Sequence, residues 1–84
     1  MPYIKQDERK KYDDALNQLH TIETKGQLEY CIFSLMQIYM ENKEYRYSTL
    51  HDTVYAAIHA GHEFERRFLD KREDEALLEN GDVY

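Results

Sequence analysis

Apolar positions along the chain fall into three helical patterns separated by short polar breaks. Tyr12, Leu16, Leu19 and Ile22 follow one another at spacings of four, three and three, which sets them on one face of a helix. Asp13 and Asp14 suit the start of that helix, where carboxylates accept hydrogen bonds from free backbone N–H groups, so a first helix is predicted over residues 13–23. Thr24-Lys25-Gly26-Gln27 then has the spacing of a capping box, in which Thr24 and Gln27 each satisfy the other's backbone N–H. From Leu28 to Met40 ten of thirteen residues are apolar, too many for a one-sided stripe, which predicts a helix over 25–42 that is buried nearly all round. A strand over Tyr30 to Phe33 competes, but the cap, the length and the lack of nearby turn residues favour helix.

Asn42 to Tyr47 reads as a polar and aromatic connection. Ser48 or Thr49 is expected to cap a third helix in which Leu50, Val54, Ala57, Ile58, Gly61, Phe64, Phe68 and Leu69 keep helical spacing. Nothing breaks that pattern before Asn80-Gly81, a good C-terminal stop, so the predicted span is 49–80. Unbroken, it would run ~48 Å at ~1.5 Å per residue, whereas a compact domain of this size is only roughly 30 Å across. The helix therefore either kinks near Asp70, where charge density rises, or packs its far half on another copy. Residues 1–12 read as an N-terminal arm and short turn, with Tyr3 and Ile4 apolar enough to dock, and 81–84 as a C-terminal tail ending in Val83 and Tyr84. The expected architecture is all-α: one small three-helix domain over 1–84 with a long C-terminal helix. Three helices cannot easily cover both sides of the second, because only ~60–65% of the unfolded chain's surface is buried at this length. A homo-oligomer is predicted.

Composition narrows the class. At 84 residues, 42% apolar and 33% charged, the chain is globular rather than disordered. A net charge of −6 argues against broad attraction to nucleic-acid phosphates. One cysteine excludes an internal disulfide, and no signal-peptide pattern and no apolar run near the ~20 residues of a membrane span are present. A cytoplasmic protein without nucleic-acid or membrane partners is expected.

Catalytic chemistry finds little support. His59, His62 and Glu63 have spacings that suit a metal, but Arg66 one turn on would repel a cation, and His62-Glu63 lacks the second histidine of a zinc-protease helix. Cys31 lies in the most apolar stretch with no neighbouring cation to stabilise a thiolate. No phosphate loop or nucleophile elbow occurs. The expectation is a non-enzyme with no catalytic residue, metal or cofactor. Binding is easier to argue. Arg66 and Arg67 beside Phe64 and Phe68 make a cationic edge suited to phosphate oxygens. The chain's eight tyrosines supply flat faces that stack a purine. The plainer account pairs the arginines with Glu63 or Asp70 at helical spacing and leaves the tyrosines along core and interface edges.

The strings Met1-Pro2-Tyr3-Ile4-Lys5 and Glu79-Asn80-Gly81-Asp82-Val83-Tyr84, with Phe64 through Arg67 between them, resemble a family of short uncharacterised proteins of phages, prophages and bacteria. Members often carry a proline where this chain has Asp70-Lys71. The phage setting implies a likeness, in kind, to small self-associating proteins that sequester nucleotide immune signals. On that reading the chain binds a small anionic nucleotide, a cyclic dinucleotide or an ADP-ribose derivative, in pockets between copies and so blocks host anti-phage defence. Arg66, Arg67, Tyr3, Tyr12 and Tyr84 are the expected ligand-binding residues. The alternative is an acidic helical protein–protein interaction module or inhibitor of a host protein.

Overall fold

The structure is a computed structural model that describes residues 3–81; Val83 and Tyr84 of the expected site and tail lie outside the described residues. The chain divides into two units, Met1–Phe33 and Ser34–Tyr84. All regular structure among the described residues is helical: α1 (Gln6–Asn17), α2 (Lys25–Met40), α3 (Tyr47–Phe64) and α4 (Asp70–Asn80).

In the first unit, α1 corrects the reading of residues 1–12 as an arm and turn, because the helix starts at Gln6. Asp7 and Glu8 fill its first turn, where carboxylates face the positive end of the dipole. Arg9, Lys10 and Lys11 are good helix formers that need no apolar stripe to be helical. The apolar pattern begins only at Tyr12, which is why it placed the start too late. The helix also ends before residue 23: Gln18–Thr21 tightens into a 3₁₀ turn, and the His20 ring meets the Asn17 carbonyl at 2.7 Å through Nδ1. The predicted capping box is present. Gln27 N–H donates to Thr24 Oγ1 at 3.1 Å, and Gln27 Oε1 accepts from the N–H groups of Thr24 and Glu23 at 3.1 and 2.8 Å. Glu41 and Asn42 fall outside α2, whose end passes into a turn.

In the second unit, the third helix starts two residues earlier than predicted, at Tyr47, and neither Ser48 nor Thr49 stands at the cap position. Thr49 works from inside the first turn instead: its Oγ1 accepts the Arg46 N–H at 3.3 Å and donates to the Glu44 carbonyl at 2.5 Å. Between α3 and α4, Glu65–Leu69 forms a π turn whose flanking residues keep right-handed helical dihedrals. This widened turn lies just before Asp70 within a continuing helical run. Gly81 ends that run with φ +82°, its N–H bonded to the Leu77 carbonyl at 2.8 Å.

Among the described residues only Thr53 is buried, its hydroxyl bonded to the Thr49 carbonyl at 2.7 Å, and no apolar side chain is. Leu19, Ile22 and Cys31 are half-buried in the first unit, and Met36, Met40, Leu50 and Ala57 in the second. The expected all-round burial of the second helix is not met among the described residues. Leu28, Ile32, Leu35 and Tyr39 are each 40–51% exposed, and Tyr30 is 73% exposed. Leaving a large apolar side chain half in water forgoes about 1 kcal/mol of its burial energy.

Candidate functional site

The π turn carries the two arginines singled out by the sequence, and one carboxylate gathers them. Arg66 donates to Glu63 Oε1 at 2.8 Å and Arg67 donates through Nε to the same oxygen at 2.5 Å. Helical spacings of three and four bring them there, as the plainer sequence reading held, with Glu63 rather than Asp70 as the shared partner. The hydrogen bond from Arg66, then that from Arg67, holds the Glu63 carboxyl below its ordinary pKa, against a smaller opposing effect of desolvation. Its Oε1 is engaged with the two arginines. Among the described residues no group of three or more His, Cys, Asp or Glu side chains is placed to hold a metal ion.

The fork is not exhausted by this pairing. Each guanidinium spends one donor on Glu63, and the Arg66 and Arg67 side chains remain 65% and 54% exposed. Phe64 and Phe68 flank them, their ring centroids 4.7 Å apart. Arg72, one turn further on, is drawn the other way, toward Glu75 at 3.7 Å and Glu79 at 3.9 Å.

Tyr3 and Tyr12, the other expected ligand-binding residues within the described range, belong to the first unit and are exposed there. The first unit has an open cleft of about 500 Å³ lined by Leu19, Thr21, Ile22, Gly26, Gln27, Tyr30 and Cys31. None of these carries a positive charge, so the cleft offers no cation to a phosphate. A second depression of about 350 Å³ lies against Glu73, Ala76, Leu77, Asn80 and Gly81. Arg66, Arg67, Tyr3 and Tyr12 line neither.

One arrangement escaped the sequence reading. Tyr47, His51, Tyr55 and His59 form a row along α3 with ring centroids 5.6, 4.2 and 5.7 Å apart in turn, tilted, stacked and edge-on respectively. Their constant spacing of four is the signal in the sequence, which a division of tyrosine and histidine into separate stacking and metal-binding classes hides. No curated protein and no solved structure matches the chain. Residues 1–83 match the family described as Domain of unknown function (DUF6899), and the chain belongs to that family.

Proposed function

We propose that the chain is a non-enzymatic helical interaction module that docks on another protein through the apolar surface of its helices. The observation that carries this reading is the absence of any buried apolar side chain among the described residues, beside large hydrophobics left exposed on α2, α3 and the π turn. Contiguous apolar surface on a soluble chain marks a place where something else belongs. The exposed rings of Phe64 and Phe68, together with Leu69, are the patch we assign to a protein partner. With one cysteine and so no internal disulfide, we place this action in the cytoplasm, the host's if the gene is phage-borne. The test is capture of a stoichiometric protein partner that is lost on Phe64→Asp/Phe68→Asp while far-UV circular dichroism keeps its helical signal. Undiminished capture by that variant would remove the patch from consideration.

A second reading, capture of a small anionic nucleotide signal by a homo-oligomer, is favoured by the donors that Arg66 and Arg67 keep free. Tyr3, Tyr12 and Tyr84 would supply the stacking faces. It ranks second because Glu63 already neutralises part of the fork. Purified protein is mixed with cyclic dinucleotides and ADP-ribose derivatives, filtered and heated, and the released material is assayed. Intact ligand supports capture, and no retention of any of them removes it.

A further inference from the structure

We propose that α3 carries a self-complementary seam on which a second copy of the chain packs antiparallel. This deepens the interaction reading, on which it rests, by naming one partner as the chain itself. Tyr47, Leu50, Val54, Ala57, Gly61 and Phe64 follow one another at spacings of three, four, three, four and three, the apolar repeat of a coiled-coil seam, and Phe68 extends it by four. Leu50 and Ala57 are half-buried, and the other members lie exposed. A Cβ placed on Gly61 would meet nothing within 4 Å, so among the described residues no neighbouring group fills that notch.

Three properties point to a second copy as the occupant. The first is size. Laid antiparallel, two copies set Leu50 of one against Gly61 of the other and Val54 against Ala57, a bulky residue facing a small one each time. Tyr47 meets Phe64 at the outer layer. A contact that matches itself under a two-fold axis is what a symmetric dimer requires. The second is charge. Two chains of −6 repel each other unless they meet where charge is sparse. From Tyr47 to Gly61 the sole Asp, Glu, Lys or Arg is Asp52, which helical geometry places opposite the seam. The third is area. Three largely exposed aromatics and Val54, with contributions from half-buried Leu50 and Ala57, offer roughly 500 Å² per copy. A pair then buries about 1,000 Å², the lower bound for a specific interface.

Gly61 allows a test that spares the single chain. Gly61→Glu adds a charge and bulk where the chain itself has open space and replaces a poor helix former by a good one. Light scattering at micromolar concentration is expected to give twice the chain mass for the unaltered protein and for Gly26→Glu, which adds the same charge off the seam. Gly61→Glu is expected to fall twofold to the mass of one chain, with helical content retained. Val54→Asn gives the same readout if glutamate at 61 lowers that content. A single-chain mass for the unaltered protein overturns the proposal, as does pairing that survives both seam variants. A protein found as a single chain that still captures another protein partner would leave the interaction reading standing and remove the seam alone.

Discussion

Arg67 donates through Nε to Oε1 of Glu63 at 2.5 Å, four residues back across the start of the π turn, and the same oxygen accepts from Arg66. One carboxylate thereby orients two guanidinia on side chains that are more than half exposed. This relationship ties local helix geometry to the choice between an anion-binding edge and an ordinary ion-paired face.

Glu63 makes the acid limb of stability informative. Its carboxyl pKa is lowered in the folded chain, so its contribution is present above the unfolded value and is lost as pH falls through the folded value. Urea unfolding followed from about pH 5 downward should show the unaltered protein losing stability relative to Glu63→Gln, with the two curves running parallel at neutral pH. A constant gap between them at every pH would show that the pairing does not persist in solution.

The two readings of function separate at the π turn. If the fork holds phosphate, Arg66→Ala/Arg67→Ala removes two charge-assisted contacts and weakens retention of a nucleotide by about a hundredfold or more. Protein capture through Phe64 and Phe68 should be changed little by it. Filter-binding and pull-down assays on the same preparations read the two outcomes.

Thr24 and Gln27 form a reciprocal cap, so removing either leaves a helix-terminal N–H without its partner. Thr24→Ala is expected to cost about 1 kcal/mol in urea denaturation. The double variant with Gln27→Ala should cost less than the two single losses added, since each side chain acts on the same turn.

Gly61 and Gly81 should respond to alanine with opposite signs. Gly61 sits inside α3 with open space around it, and Gly61→Ala should raise the stability of the unpaired chain by about 1 kcal/mol. Gly81 holds φ +82°, a left-handed conformation that a Cβ opposes, so Gly81→Ala should fray the end of α4 at a cost of about 1 kcal/mol. Thermal unfolding monitored at high dilution reads both.

The helices, the Thr24–Gln27 cap and the Gly81 stop were legible because each depends on residues within a few positions of one another. Pattern reading failed where a helix needs no apolar stripe, as over Gln6 to Lys11, and where a hydroxyl caps from inside the turn, as Thr49 does. It also offered Arg66 and Arg67 two carboxylates, and only side-chain geometry chose Glu63. By itself the amino-acid order determined that this chain is helical and that its long last segment carries a repeating apolar face, since backbone propensity and periodicity are local. Only the tertiary structure decided that much of this face and of the second helix stays exposed. Burial depends on what other segments supply in space, and the described helices do not supply enough to cover their own apolar side chains.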